Sequence, residues 1–205
     1  DEAAEICAGI TGIRTAAAKK LSAEIRQALE DLNFGQVRFD IDVRQTGNIT
    51  PDGADEAEFM ISVNPGEDLR PLAKIASGGE LSRIMLGIKS VLANKDDTDT
   101  LIFDEIDTGI SGRTAQKVSE KMALIARSHQ VICITHLPQI AAMADIHFLI
   151  EKNIKDGFTT TSINRLSDQE IITELARMLG GSQITDLVMD NAAQMKEFAD
   201  NLKKQ

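Results

Sequence analysis

The stretch Ala76-Ser77-Gly78-Gly79-Glu80-Leu81-Ser82-Arg83 decides how the fold of this 205-residue chain is interpreted. A serine followed three residues later by a glutamate has the pattern of a capping box, so Ser77 and Glu80 predict the start of a helix. Two glycines in the first turn weaken a helix, by roughly 1 kcal/mol each in its interior and by less near its end. They also expose backbone N–H groups, which bind anions at a helix N-terminus. The stretch alone therefore fits a plain helix cap and a phosphate-binding turn about equally well.

An acidic pair, Asp104 and Glu105, follows the apolar segment Thr100-Leu101-Ile102-Phe103. Those four residues form a short run of the kind that is buried in a parallel sheet. A carboxylate at the carboxyl end of such a strand lies at the sheet edge, where α/β proteins bind their ligands. An isolated Asp-Glu pair more often belongs to a surface loop or a helix cap, so the preceding strand is what favours a ligand site.

Two further candidates lie nearby in the predicted topology. Asp107 opens the run Asp107-Thr108-Gly109-Ile110-Ser111-Gly112, which predicts a turn leading into a helix. His136 follows the apolar strand 131–135, at the same end of the sheet as Asp104, although a single histidine there is more often packed or at the surface than catalytic. Asp104, Glu105 and His136 also suggest a metal hydrolase, but the spacing is not that of an HExxH site and no other ligand cluster supports it.

In this order, the motifs resemble those of the ABC superfamily of ATPases. The combination of ASGGELSR with LIFDEIDTGISG is similar to RecN, a family of SMC-like bacterial DNA repair proteins. The resemblance covers roughly residues 70–180, and Glu80 stands where the signature of transporter ATPases typically has glutamine. It implies an α/β fold, namely the C-terminal lobe of a P-loop NTPase head of the ABC/SMC type, with a mixed sheet flanked by helices.

The resemblance also implies a role for each candidate residue. Four signature residues would contact the γ-phosphate of an ATP molecule held by the opposite subunit: Ser77, Gly78, Gly79 and Glu80. In the Walker B segment, Asp104 would orient Mg²⁺, generally through water, and Glu105 would position and polarise the attacking water. Asp107 would belong to the D-loop, which crosses the dimer interface and links the two ATP sites. His136 would be the switch histidine that hydrogen-bonds the γ-phosphate.

The phosphate loop of such ATPases, a glycine-rich turn ending in Gly-Lys-Ser/Thr, does not occur in these residues. We therefore expect the chain alone to bind ATP weakly and to be inactive as an ATPase. The resemblance implies ATP and Mg²⁺ as cofactors. As partners it implies a second head joined through two sandwiched ATP molecules, the N-terminal half of the same protein, and DNA in the recombinational repair of double-strand breaks.

Residues 1–33 are predicted to form a helix, because apolar residues recur along one side at steps of three or four. This seam is thin and is weakened by Gly9 and Gly12, so the residues alone leave open a coiled-coil end or a helix packed on its own domain. The resemblance favours the coiled coil, since the family interrupts its ATPase domain with a long antiparallel one. Residues 34–205 would form the lobe.

The rest of the chain is predicted to contain both strands and helices. Period-two patterns predict a β-hairpin from 37–43 and 59–63, with turns at Gly47-Asn48 and Pro51-Asp52-Gly53. Further predicted elements are helices 81–92 and 113–127, a short helix from Pro138, strands 147–151 and 158–164 joined by a turn at 155–157, and two final helices, the first capped by Ser167 with Glu170.

Composition restricts the function further. The formal net charge of −10 argues against nonspecific nucleic-acid binding by the whole chain. No signal-peptide pattern and no apolar run near the roughly 20 residues needed to cross a bilayer are present, so we expect a cytoplasmic, nucleoid-associated protein with no membrane partner. Two other functions stay open: a nonenzymatic interaction lobe, and the ATP-binding subunit of a transporter.

Overall fold

The computed structural model describes residues 2–95, 97–155, 158–181 and 183–204. The chain divides into two compact units, Asp1–Asp99 and Thr100–Gln205. The division predicted from the sequence, between a helical segment 1–33 and a lobe 34–205, stays a prediction.

The first unit combines two long helices with an antiparallel sheet. Helix α1 (Glu2–Asp31) is followed by strands β1 (Arg38–Thr50), β2 (Gly53–Ser62) and β3 (Arg70–Pro71), a 3₁₀ turn (Leu72–Lys74), helix α2 (Gly78–Leu92) and a second 3₁₀ turn (Ala93–Lys95). The strand order is β1-β2-β3. The predicted hairpin is confirmed: Ile41 pairs with Phe59, and the ring of Phe59 meets that of Phe39 edge-on at 5.6 Å between centroids.

Helix α1 behaves differently along its two halves. Its C-terminal half is buried through Ala18, Ser22, Ile25, Ala28 and Leu29, and α1 packs against β1, β2 and α2. In the N-terminal half, Ile6 and Ile13 are exposed. Its N-terminal half is also held on the unit, since Cys7 is buried and Thr11 Oγ1 donates to Asp55. Ile6 and Ile13 form an exposed apolar edge there, and the coiled coil stays a prediction for that edge.

One predicted turn is wrong. Gly47 and Asn48 lie within β1, and the hairpin reverses at Pro51 and Asp52. The pairing register shifts between Gln45 and Thr50, and Gly47 has φ 77°. A bulge of this kind accepts glycine in the left-handed region without ending the strand, which is why the Gly-Asn signal marks an irregularity instead of a turn.

Within the described residues, the second unit contains two two-stranded sheets and four helices. Its elements are β4 (Thr100–Phe103), α3 (Gly112–Ile125), β5 (Gln130–Cys133), α4 (Pro138–Ala142), β6 (Phe148–Lys155), β7 (Phe158–Arg165), α5 (Asp168–Gly180) and α6 (Asp186–Lys203). Strands β4 and β5 are parallel, and β6 and β7 are antiparallel. Helices α4, α5 and α6 enclose an apolar cluster that includes Ile171, Leu175 and Ala192. The turn predicted at Asp156 and Gly157 lies outside the described residues.

The α/β class is confirmed, but within the described residues the strands form three separate sheets instead of one mixed sheet. The hairpin of β1 and β2 therefore does not share a sheet with Asp104. Strand β4 was expected to be buried throughout; Leu101 and Phe103 are buried, whereas Ile102 is 68% exposed. One crossover helix can cover only one face of a two-stranded parallel sheet. Every second residue of β4 is therefore exposed to solvent within the described residues.

Candidate active site

The predicted phosphate-binding turn is the N-terminus of α2. Ser77 is the N-cap, and its Oγ accepts a hydrogen bond from the backbone N–H of Glu80 at 3.4 Å, the long end of the range for such bonds. Gly78 is exposed and Gly79 is buried. The first N–H groups of a helix have no acceptor within it, so this turn presents backbone donors to an anion.

Arg83, one turn further along α2, is held within the first unit. Its side chain is buried, with the guanidinium carbon 5.6 Å from the centroid of the Phe34 ring. Burial lowers the pKa of Arg83, and the nearby Glu80 carboxylate opposes that change. The stacking on Phe34 indicates that Arg83 stabilises the contact between α2 and the segment after α1.

Asp104 and Glu105 lie at the carboxyl end of β4, as predicted, and both are exposed. The backbone N–H of Glu105 donates to Asp104 Oδ1 at 2.8 Å, and Thr108 N–H donates to the carbonyl of Glu105 at 3.0 Å. Glu105 has φ 57°, in the left-handed region that is unfavourable for a residue with a Cβ. The two bonds hold this strained turn at the end of β4.

Asp107 is the most constrained of the candidate residues. It is 4% exposed, and its Oδ2 accepts two hydrogen bonds. The donors are Thr135 Oγ1 at 2.6 Å and the backbone N–H of His136 at 2.8 Å, and His136 Nδ1 lies 3.0 Å from the same oxygen in an ion-pair contact. The loop after β4 is thereby tied to the chain that leaves β5.

The topology explains why these residues meet. Strands β4 and β5 are parallel neighbours with Phe103 opposite Cys133, so their carboxyl ends share one sheet edge. The second unit thus brings together Asp104, Glu105, Asp107 and His136. Ser77, Gly78, Gly79 and Glu80 belong to the first unit.

The sheet edge carries a negative potential. The pKa of the Cys133 thiol is raised to about 12, first by burial and then by the charges of Asp107 and Asp104. Among the described residues, no group of three or more His, Cys, Asp or Glu side chains could hold a metal ion by itself. Mg²⁺ is ordinarily held by one or two carboxylates together with water and substrate phosphates, so Asp104 fits a Mg²⁺ that arrives with a nucleotide.

Sequence reasoning did not single out Thr135. It lies between the apolar strand and His136, and its Oγ1 donates to Asp107 and accepts from the backbone N–H of Leu137 at 3.0 Å. A threonine that ends a strand just before a candidate histidine was the available signal. The inward orientation of Asp107 carried no sequence signal at all.

Comparison with known proteins identifies the family. No family model matches the chain. "DNA repair protein RecN" of Bacillus subtilis is 44% identical over 96% of this chain, and its counterpart from Vibrio cholerae is 44% identical over 87%. The chain belongs to the RecN family. It spans about a third of these relatives, 37% and 32% of their lengths respectively.

Solved structures of SMC heads have a similar fold. The Smc head domain of Pyrococcus yayanosii, with its coiled coil and joint, superposes with a TM-score of 0.55 at 20% identity, covering 80% of this chain and 29% of that one. An SMC ATPase described for ATP-driven dimerization and DNA-stimulated activation gives a TM-score of 0.50 at 17% identity, covering 84% and 99%. The likeness shows an SMC-type head fold for this chain.

Helices long and apolar enough to span a bilayer do not occur among the described residues.

Proposed function

We propose that this chain is part of the head of an SMC-like ATPase that acts in DNA repair. The observation that carries the proposal is the shared edge of β4 and β5, where Asp107 ties His136 to the end of the strand that bears Asp104 and Glu105. The RecN relatives supply the context of DNA repair. Neither a transporter subunit nor a nonenzymatic lobe is favoured by them.

In this function, Asp104 holds Mg²⁺ on the phosphates and Glu105 orients the water that attacks the γ-phosphorus. His136 contacts the γ-phosphate. Phosphoryl transfer needs mainly positioning and electrostatic stabilisation, and a preformed edge with fixed side chains supplies both. The strained backbone of Glu105 fits a residue whose direction matters more than local stability.

The complete site is composite in this proposal. The remainder of the full-length protein provides the phosphate loop, and a second head provides the turn formed by Ser77, Gly78 and Gly79. ATP then joins two heads, and hydrolysis releases them, so that the coiled coils move while DNA is held. We expect the protein in the cytoplasm at the nucleoid, which fluorescence microscopy after DNA damage would test.

The first test is ATP hydrolysis by the full-length protein, with and without Mg²⁺ and DNA. Glu105→Gln should lower kcat by about 10²–10⁴-fold, the usual value of acid–base assistance. Glu197→Gln is the matched control, because Glu197 is exposed on α6. Activity unchanged in Glu105→Gln, or lost equally in Glu197→Gln, would remove the catalytic assignment.

Mixing two inactive variants tests the composite site directly. In a dimer of Ser77→Arg with Glu105→Gln subunits, one site carries both defects and the other carries none. Random pairing makes half the dimers mixed, so about a quarter of wild-type activity should return. If the mixture stays as inactive as its components, the contribution of Ser77 from the opposite subunit is wrong.

A further inference from the structure

We infer that Asp107, assisted by Thr135, is a positioning residue that fixes the His136 ring through Nδ1 and leaves Nε2 to meet the phosphate. The inference rests on the proposed ATPase function and refines it. In this arrangement, Asp107 acts on ATP hydrolysis through His136 of the same subunit and does not contact the nucleotide itself.

The side chains of Asp107 and His136 differ strongly in their exposure to solvent. The Asp107 side chain is 5% exposed, whereas the His136 side chain is 73% exposed. An exposed imidazole ring samples several rotamers, and fixing it requires an interaction that offsets the lost side-chain entropy. The 3.0 Å contact of Nδ1 with a buried carboxylate provides this, while the backbone bond from His136 N–H to the same Oδ2 fixes the main chain below the ring.

Thr135 completes the arrangement. Its Oγ1 donates to Asp107 Oδ2 at 2.6 Å, so the carboxylate cannot rotate toward another partner without breaking a short bond. The same Oγ1 accepts from Leu137 N–H at 3.0 Å, which closes the turn around His136. Three consecutive residues after β5 are therefore organised around one oxygen of the loop that follows β4.

The tautomer of His136 follows from this pairing. Nδ1 lies 3.0 Å from a carboxylate oxygen, so it carries the proton and donates. In the neutral ring Nε2 then has a lone pair, and it donates to a phosphate oxygen only when the ring carries a proton on each nitrogen.

The first arm of the test uses steady-state ATP hydrolysis by the full-length protein. Asp107→Asn keeps the shape of the side chain and removes its charge, and should lower kcat by about 10–100-fold with little change in KM, as for other residues that orient a functional histidine. Thr135→Val should lower kcat less. Asp190→Asn, at an exposed aspartate of α6, is the matched control. In a His136→Gln background, Asp107→Asn should have no further effect, whereas a purely structural Asp107 would lower activity in both backgrounds.

The second arm needs no nucleotide, so it separates this inference from the proposed function. Diethylpyrocarbonate modifies the unprotonated imidazole nitrogen, and peptide mass spectrometry follows each histidine at about pH 8, where histidine is largely neutral. The carboxylate of Asp107 keeps the proton on Nδ1 and makes Nε2 the nucleophilic nitrogen, so Asp107→Asn should slow the modification of His136 several-fold and leave His129 unchanged. Equal rates at His136, together with additive kinetic effects, would overturn the role of Asp107. A wild-type protein without ATPase activity but with slowed His136 modification in Asp107→Asn would overturn the proposed function alone.

Discussion

Gly87 of α2 packs against Leu29 of α1 so closely that a Cβ on Gly87 would lie 2.8 Å from Leu29 Cδ2. The same Cβ would lie 3.5 Å from Leu29 Cγ and 3.5 Å from Leu32 Cδ1. Both leucines are fully buried, so neither can move aside without disturbing the core. The helix that is capped by Ser77 thus meets the long N-terminal helix at a position that requires glycine.

Gly87→Ala should destabilise the protein by about 1–3 kcal/mol, the usual result of overpacking a core. The free energy of unfolding in urea measures this. Gly9→Ala is the control: Gly9 also lies within a helix, but a Cβ there meets nothing within 4 Å. Alanine is the better helix former, so Gly9→Ala should stabilise by up to about 1 kcal/mol. Equal effects of the two substitutions would show that the contact with Leu29 does not matter.

Asp55 of β2 braces α1 from the side. Its side chain is 1% exposed, and Thr11 Oγ1 donates to its Oδ1 at 2.7 Å while Arg14 donates to its Oδ2 at 3.4 Å. Asp55→Ala removes a buried charged acceptor and should cost about 1–3 kcal/mol, the usual value of hydrogen bonds to a charged group, while Thr11 Oγ1 keeps the carbonyl of Cys7 at 2.9 Å and Arg14 keeps that of Asp52 at 2.6 Å. A double-mutant cycle with Thr11→Val should show coupling.

Glu58→Ala is the control for the brace, because the Arg44–Glu58 pair is exposed and such pairs contribute about 0–1 kcal/mol. Additive losses for Asp55→Ala and Thr11→Val would contradict the brace.

The backbone strain at Glu105 and the role of its carboxylate in ATP hydrolysis can be tested separately. Glu105→Gly and Glu105→Ala both remove the carboxylate, so both should lose ATP hydrolysis in the full-length protein. Only glycine adopts φ 57° without strain, so Glu105→Gly should be about 1 kcal/mol more stable than Glu105→Ala by urea unfolding. The reverse order of stability would mean that the turn after β4 carries no strain.

Cys133 makes the free energy of unfolding depend on pH in the alkaline range. Its pKa is raised from the ordinary 9.0 to about 12 by burial and by Asp107 and Asp104. A thiol that stays protonated in the folded state contributes stability that is fully present below pH 9 and is lost as the pH rises toward 12. Urea unfolding at pH 8 and above pH 10 should show a smaller alkaline loss for Cys133→Ala than for the wild type. Cys7→Ala serves as the control.

The first helical turn of α5 gives a matching prediction in acid. Ser167 Oγ and the backbone N–H of Ser167 both donate to Glu170, and these bonds lower the pKa of that carboxyl. A lowered folded pKa contributes stability above the unfolded pKa, and this stability is lost as the pH falls through the folded value. Ser167→Ala should therefore raise the pKa of Glu170, which an NMR titration of its side chain measures. An unchanged titration would show that the capping hydroxyl plays no part.

Local pattern was enough to predict the hairpin, the helices and the strand that ends at Asp104, because alternation and helical spacing are properties of adjacent residues. It was not enough for Ile102, whose exposure depends on how many layers cover β4. Gly47 was misassigned because a bulge and a turn both use left-handed glycine. The roles of the candidate residues came from motif resemblance, whereas the bond between Asp107 and His136 joins two loops that no sequence pattern connects.

The parallel pairing of β4 and β5 also constrains the order of folding. Parallel neighbours cannot be joined by a tight hairpin, and here the connection contains all of α3. The acidic pair and the histidine therefore come together only when β4 and β5 pair, and this pairing closes a long loop that contains α3. In a refolding experiment, the amides of β5 should gain protection from hydrogen exchange after those of the β1–β2 hairpin, so the chemistry of this lobe is assembled at a late step of its folding.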